Sequence, residues 1–225
     1  MSAARRRPGW VGWLPALILT AVIVGVFVTG AVLLAGGLGQ PTPKPTEGQV
    51  TELNWSSFTT DGLAYIATSR DVRIDLSRPP VEASPLGLPD DGTLVLERID
   101  NLDVQLDYDL IVNGGGEGPG GARFVASEIT IVTAGGLVST VSANLADVAN
   151  FRQTVDRLAG EAETFGWEFD RDAIFALAEE STRAGTPYEF TLGPGDRVGM
   201  LVSATASCDT GGFCALRYDA SPTAP

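Results

Sequence analysis

The chain has 225 residues, with 15 Lys and Arg against 28 Asp and Glu, two cysteines and no histidine. Its formal net charge of −13 argues against nucleic acid as a partner, because binding phosphates needs clustered Lys and Arg. The absence of histidine excludes Ser-His and Cys-His catalytic pairs, His-ligated metal sites and histidine pH switches. The length fits one ordinary domain with an appendage.

An uncharged segment runs from residue 8 to 43 near the N-terminus. Its apolar centre, 13–38, exceeds the roughly 20 residues that a helix needs to cross a bilayer at about 1.5 Å per residue. Trp10 and Trp13 stand at its start, where amphipathic rings favour the water–lipid boundary. The sequence therefore predicts a single transmembrane helix over 10–38.

Three arginines, Arg5, Arg6 and Arg7, precede this segment, and one lysine, Lys44, follows it. The positive-inside rule places the tip, 1–9, in the cytoplasm and the acidic remainder outside the cell membrane. A cleaved signal peptide is the alternative, but its apolar core usually has about 7–15 residues and ends at an A-x-A-like site. The longer core and the lack of such a site favour a signal-anchor that stays attached.

A proline-rich stem is predicted over 39–49, where three prolines stand at alternate positions. Proline cannot enter the interior of a helix, so this composition favours an extended linker. The region 50–220 is long enough to bury one core and forms the predicted extracytoplasmic domain. The last residues, 221–225, are expected to be a frayed tail.

The first half of the domain has the alternating pattern of β-strands. Leu63, Tyr65 and Ala67 alternate with their neighbours and predict a strand, and Val72 and Ile74 predict the next one. After a proline-rich loop over 79–92, strands are predicted over 93–99, 102–112, 122–134, 136–145, 188–192, 197–208 and 213–220.

The strand over 102–112 is the most regular of these. Period two divides it into an apolar and an acidic face, as in a half-buried strand. The apolar face comprises Leu102, Val104, Leu106, Tyr108 and Leu110, and the other face comprises Asp103, Gln105, Asp107 and Asp109.

Two helices are predicted between the two groups of strands. The first carries an apolar stripe with spacings of three and four, with Asn144 or Asp147 as N-cap and Gly166 at its C-terminus. The second follows Asp170 as N-cap and ends at Gly185. The first stripe comprises Val148, Phe151, Val155, Leu158, Ala162 and Phe165, and the second comprises Ile174, Leu177, Ala178 and Ser181.

These elements predict an α+β fold, with the two helices on one face of a mostly antiparallel β-sheet. Each helix and each strand has one apolar face, and the simplest way to bury both is face to face. The first helix is expected to pack beside Val104, Leu106, Met200 and Val202. Its exposed side carries two potential i,i+4 ion pairs, Arg152–Asp156 and Arg157–Glu161.

Cys208 and Cys214 flank the sequence DTGGF. In an extracytoplasmic domain an even number of cysteines predicts a disulfide, and the two intervening glycines suit a short hairpin loop. The alternative is a zinc site, but zinc takes four ligands, and two cysteines without histidine do not supply them.

Two sequence patterns resemble ligand-binding sites. Both are better explained as parts of β-strands or of the turns between them. The segment 116–121 has the spacing G-x-G-x-x-G, yet a dinucleotide loop must open a helix, and the next residues alternate as in a strand. Calcium needs six to eight oxygens around one loop, whereas a strand spreads alternate side chains about 6–7 Å apart. The aspartates in question are Asp90, Asp91, Asp100, Asp103, Asp107 and Asp109.

Carboxylates are the remaining catalytic groups, because histidine is absent and the one lysine lies in the stem. A hydrolase with paired carboxylates would draw on helix residues that also have ordinary roles as caps, ion-pair partners or helix surface. No catalytic residue, metal site or cofactor is therefore predicted. The carboxylates are Glu161, Glu163, Glu168, Asp170, Glu179 and Glu180.

The expected function is a non-enzymatic interaction or scaffold module anchored in the membrane of a bacterial cell envelope. Its expected partners are the lipid bilayer, through the N-terminal helix, and an envelope protein or wall polymer. The alternatives are a hydrolase with paired carboxylates and a sensor domain for small molecules or ions. An open sheet edge or a flat apolar patch would favour the interaction module. A deep pocket with two facing carboxylates would favour the hydrolase.

Overall fold

The structure is a computed structural model that places part of the chain. It describes residues 44–101, 104–115, 120–145 and 147–223, together with Thr20 and Ile23. The predicted membrane helix over 10–38 lies outside these residues apart from those two positions, and so do Arg5, Arg6 and Arg7. Within the described residues, no helix is long and apolar enough to span a membrane.

Within the described residues, a mixed sheet of nine strands and three α-helices form an α+β domain that is mostly sheet. The helices are α1 (Thr60–Ser69), α2 (Phe151–Phe165) and α3 (Arg171–Ala184). The strands are β1 (Asp71–Asp75), β2 (Gly92–Glu97), β3 (Ile99–Asn101), β4 (Val104–Leu106), β5 (Tyr108–Asn113), β6 (Ala122–Ala134), β7 (Leu137–Leu145), β8 (Ala149–Asn150), β9 (Tyr188–Gly195), β10 (Leu201–Cys208) and β11 (Phe213–Ser221).

The sheet runs in the order β1-β5-β6-β7-β11-β10-β9, and the strands β2 and β8 pair with β6 and β11 beside this path. The pair β1–β5 is parallel, and the other strand pairs described are antiparallel. Strands β3 and β4 form a separate two-stranded ribbon. The predicted antiparallel character of the sheet is therefore confirmed, with one parallel pair at its edge.

The strand predicted around Leu63, Tyr65 and Ala67 is wrong, because this segment forms α1. Its N-cap, Thr59, accepts a hydrogen bond from the backbone of Gly62. A short apolar run fits either periodicity, and here Leu63 and Ala67 are also one helical turn apart. The cap and the burial of the next turn select the helix.

The strand predicted over 102–112 is also wrong in its length. It is broken at Asp107 into β4, which pairs with β3, and β5, which pairs with β1 and β6. Tyr108 and Leu110 are buried, whereas Leu106 is 37% exposed. Leu106 thus belongs to the ribbon, and its predicted packing against the first helix is wrong.

Helix α2 confirms most of the predicted stripe but starts later than predicted. Asn150, rather than Asn144 or Asp147, caps it through a capping box with Gln153. Val148 therefore precedes the helix and is 62% exposed. The predicted end at Gly166 is confirmed by its left-handed backbone. The buried members of the stripe are Val155, Leu158, Ala162 and Phe165, while Phe151 is half-buried.

Helix α3 begins and ends as predicted. Asp170 accepts a hydrogen bond from the backbone of Ala173, and Gly185 closes the helix with a left-handed backbone. On its predicted apolar face Ile174, Ala178 and Ser181 are buried, and Leu177 is half-buried.

One part of the core lies between α2 and the strands β10 and β11, which α2 contacts. Met200 and Val202 are fully buried, as the sequence predicts. The indole N–H of Trp167 donates to the carbonyl of Val202 at 2.8 Å, and the ring of Trp167 stacks on Phe165 at 4.7 Å. The contact ties the turn after α2 to strand β10.

A polar contact inside this core fixes α2 on β11. The hydroxyl of Tyr218, whose side chain is 1% exposed, donates to Glu161 at 2.5 Å. Arg157 donates to the same carboxylate group, so the predicted Arg157–Glu161 pair is confirmed. In the other predicted pair, Asp156 accepts hydrogen bonds from Arg171 of α3.

Candidate functional site

Strand β9 lies at one end of the sheet and pairs with β10. The pairing places Tyr188 opposite Cys208, Phe190 opposite Ala206 and Leu192 opposite Ala204. Among the described residues, no backbone hydrogen bond reaches β9 from its other side. Within the described part of the chain, the N–H and C=O groups that point away from β10 therefore have no backbone partner, as at the edge of a sheet.

The two faces of β9 differ in chemistry. Tyr188, Phe190 and Leu192 point to the face that carries the core, where Leu192 is buried and both rings are half-buried. Glu189 and Thr191 point to the opposite face and are exposed. An edge strand of this kind offers a partner both apolar and polar neighbours at alternate positions.

The exposed face of the sheet continues this polar side of β9 and is named here the polar face. Its first row contains Glu189, Ser207 and Ala215, which are direct neighbours on β9, β10 and β11. Its second row runs from Thr191 through Thr205 and Arg217 to Asn144 on β7.

A groove of about 420 Å³ crosses the polar face. Ala215, which has no side chain beyond its Cβ, lines it together with neighbours that have longer side chains. The charged groups that line it are Glu189, Arg217 and Asp219, so the groove carries one positive and two negative side chains.

Hydrogen bonds hold the polar side chains of this face. Arg217 donates to Asp219 at 2.9 Å and to the hydroxyl of Ser142 at 3.0 Å. Ser207 donates to Glu189 at 2.8 Å. Arg217 is thus already neutralised by Asp219, and Glu189 has a hydroxyl but no cation as its partner in these contacts.

The start of β9 is held by aromatic contacts on its other face. The rings of Tyr188 and Phe151 lie 6.1 Å apart, and Phe151 meets Phe175 of α3 at 5.1 Å. Burial raises the pKa of Tyr188, and the negative charge of Asp209 raises it further. Tyr188 therefore stays a neutral hydrogen-bonding phenol beside an acidic side chain.

The predicted disulfide between Cys208 and Cys214 is present. The two residues are opposite each other at the ends of β10 and β11, and Cys208 is also the neighbour of Tyr188 on β9. Asp209 closes the hairpin loop by accepting from the backbone of Gly211 and Phe213 at 2.9 Å each. The disulfide consequently fastens the end of the sheet where β9 begins.

The opposite end of the sheet, at β1, is covered by the chain itself. The backbone of Ser56 donates to the carbonyl of Arg73 at 2.9 Å. The backbone of Arg73 donates in turn to the hydroxyl of Ser56 at 2.8 Å. Next to this contact lies an open, mainly apolar groove of about 820 Å³, lined by Trp55, Leu86 and the segment from Pro45 onward.

The candidate carboxylates of a hydrolase do not meet in one described groove. Glu161 is engaged with Tyr218 and Arg157, and Asp170 caps α3. Glu179 lines a shallow groove between α2 and α3 with Phe151 and Phe175. The other three, Glu163, Glu168 and Glu180, are exposed.

The patterns that resembled ligand sites fall in strands or between them. Gly121 is followed by strand β6 rather than by a helix, so the glycine motif joins two antiparallel strands. Asp109 is bound by Arg123 through two hydrogen bonds of 2.7 and 2.6 Å. Asp103 lies outside the described residues. Within those residues, no group of three or more acidic or cysteine side chains could hold a metal ion.

Sequence reasoning missed the edge of β9 as a site. The alternation of Tyr188, Glu189 and Phe190 indicated a strand, but alternation carries no information about which strand ends a sheet. The signal that could have pointed to it is the acidic side chain between two aromatic residues, close to Pro194, since charges and prolines are common on edge strands.

Comparisons with known proteins identify no relative: no family model, no curated protein and no solved structure matches the chain. The case for a function therefore depends on the geometry of the edge and of the polar face.

Proposed function

We propose that this protein is an interaction module, anchored by its N-terminal helix in a bacterial cell membrane, whose extracytoplasmic domain binds a partner protein of the envelope. The observation that carries the proposal is the uncovered edge of β9. Such an edge can accept an extended segment of another protein as an additional strand, with backbone hydrogen bonds giving affinity and alternate side chains giving specificity. No cofactor is needed for this activity.

The surroundings of β9 support this binding mode. The disulfide at Cys208 and the aromatic contact between Tyr188 and Phe151 hold the start of the strand. A rigid edge loses little conformational freedom when a partner binds. Pro194 has no N–H to donate, and Gly193 has a left-handed backbone with a φ of 90°, so the stretch available for regular pairing is Tyr188–Leu192.

The arrangement of the carboxylates supports a binding function rather than a hydrolase. Among the six candidate carboxylates, Glu161 and Asp170 serve the packing and capping of α2 and α3. The two carboxylates that do line one groove, Glu189 and Asp219, are bound by Ser207 and by Arg217. A glycosidase would need two carboxyl groups about 5–10 Å apart across one substrate site.

The binding proposal can be tested with a photoreactive amino acid placed at Glu189 or at Thr191 in the native host. An added strand predicts that both positions cross-link to one protein, at partner residues two apart, because alternate residues share a face. The matched control is Arg73 on the covered edge, which should give no such product. Cross-linking at Arg73 as strong as at Thr191, or products without the two-residue spacing, would contradict the proposal.

The proposed localisation has its own test. A reporter that is active only outside the cytoplasm, fused after Pro225, should be active, and replacing Arg5, Arg6 and Arg7 with Glu should weaken that orientation. Activity of a reporter that works only in the cytoplasm, fused at the same place, would overturn the localisation.

A further inference from the structure

We infer that the partner of β9 is an extended segment in which apolar residues alternate with Lys or Arg. The inference rests on the proposed function and adds the chemistry of the segment. It follows from the side chains that a strand added beside β9 would meet on each face of the sheet.

On the face that carries the core, an added strand would lie next to Tyr188, Phe190 and Leu192. Directly opposite residues in neighbouring strands have Cβ atoms about 4.5–5.5 Å apart. The rings of Tyr188 and Phe190 are half-buried by their own domain. Apolar side chains of the partner would cover the exposed remainder of these rings and remove it from water.

On the polar face, an added strand would lie next to Glu189 and Thr191. Glu189 is exposed, and its described contact is the hydroxyl of Ser207. The cation nearby, Arg217, is already bound by Asp219. Glu189 therefore remains available to a cation from the partner, and opposite charges on neighbouring strands stabilise pairing whereas like charges destabilise it.

The net negative charge of the whole domain also favours a basic partner segment. All 28 acidic residues follow the predicted membrane helix, and the chain carries a net charge of −13. Basic segments are therefore attracted and acidic ones repelled during the encounter. The same charges disfavour pairing of β9 with a second copy of β9, because Glu189 would face another acidic strand.

The test uses the full chain in nanodiscs of phosphatidylcholine, a lipid without net charge, and an eight-residue peptide that alternates lysine and valine. Binding is followed by hydrogen exchange and mass spectrometry. Two further peptides serve as comparisons: one alternates glutamate and valine, and the other has four lysines followed by four valines. The lysine–valine peptide should slow exchange across Tyr188–Leu192, and the other two should not.

Charge reversal in the protein sharpens the test. Glu189→Arg should weaken binding of the lysine–valine peptide about fivefold, from the loss of one cross-strand charge pair. The same variant should gain binding of the glutamate–valine peptide. Glu52→Arg changes the net charge equally at an exposed position beside the covered edge, and it should change affinity by less than about 1.5-fold.

Three results would overturn the inference as a whole, and a fourth would overturn only the basic chemistry of the partner. One is equal weakening by Glu189→Arg and Glu52→Arg, which would mean a bulk charge effect. Another is protection of β2, which carries Val95 exposed at the side of the sheet, in place of β9. The last is protection of β9 in the concentrated chain without peptide, which would mean self-pairing. Equal binding of both alternating peptides to β9 would contradict the basic chemistry and leave the proposed function standing.

Discussion

The two edges of the sheet, β1 and β9, differ in whether their outer backbone groups have a hydrogen-bond partner. At β1 the chain folds back, and Ser56 and Arg73 exchange two hydrogen bonds. At β9 no backbone partner is described beyond the strand, and Glu189 and Thr191 are exposed on one face. An uncovered edge risks unwanted association, and the proposed partner strand would cover the edge of β9.

The largest effect should come from the core that supports both edges. Leu158 of α2 is fully buried, so Leu158→Ala should lower the free energy of unfolding by about 3–5 kcal/mol through lost burial and a cavity. Phe151→Ala, at a half-buried position on the same helix, should cost about half as much. Urea unfolding of the full chain in nanodiscs measures both. Equal costs would mean that the orientation of α2 is wrong.

Loss of the disulfide should destabilise the whole domain and, in addition, loosen the β9 side. Replacing Cys208 and Cys214 together with serine should lower the free energy of unfolding by about 2–3 kcal/mol, as the chain-entropy model gives for so short a loop. Hydrogen exchange should accelerate at Tyr188 and its neighbours, which pair with Cys208. The amides of Asp71–Asp75 serve as the internal control, and their acceleration to the same degree would contradict a local role.

The covered edge should open when its side-chain acceptor is removed. Ser56→Ala takes away the hydroxyl that accepts from the backbone of Arg73. Leaving that N–H without its partner should cost about 1–2 kcal/mol, and exchange at Arg73 should become faster. Thr191→Ala, at an exposed position on β9, is the matched control and should cost under about 0.5 kcal/mol. Equal losses of unfolding free energy in the two variants would contradict the contrast between the two edges.

Alkaline pH should weaken the attachment of α2 to β11. Burial, and then the negative charge of Glu161, raise the pKa of Tyr218 well above its ordinary value of 10.0. The unfolded chain therefore loses this proton at a lower pH than the folded chain does. Stability should fall as the pH rises above about 10, by up to about 1.4 kcal/mol per pH unit. Tyr218→Phe should remove this part of the pH dependence, and an unchanged slope would contradict it.

The sequence correctly predicts the elements whose ends are marked by characteristic residues, such as capping residues, glycines and cysteines. Helix α3 could be predicted between Asp170 and Gly185, because a capping carboxylate and a C-terminal glycine mark its limits. The disulfide could be predicted from two cysteines and a short loop. Helix α1 could not, because its few apolar residues fit two periodicities and its capping residue, Thr59, is as common in loops.

The candidate site depends on information that is not local. Strand β5 pairs in parallel with β1. Strand β9 is outermost because the last three strands form a meander that begins at β9 and joins the rest of the sheet through β11. Long-range pairing decides such an order, and alternation within a strand does not report it. The sequence could give the chemistry of Glu189 and Phe190, but not their place at an edge.

The most direct test of the account compares hydrogen exchange of the full chain purified in nanodiscs with that of the chain in membranes of its native host. The account predicts fast exchange across Tyr188–Leu192 in the purified chain for every N–H directed away from β10, and slow exchange of the same amides in the native membranes. The amides of Asp71–Asp75 should be slow in both. Equal exchange across Tyr188–Leu192 in the two preparations, fast or slow, would contradict the claim that β9 receives a partner strand.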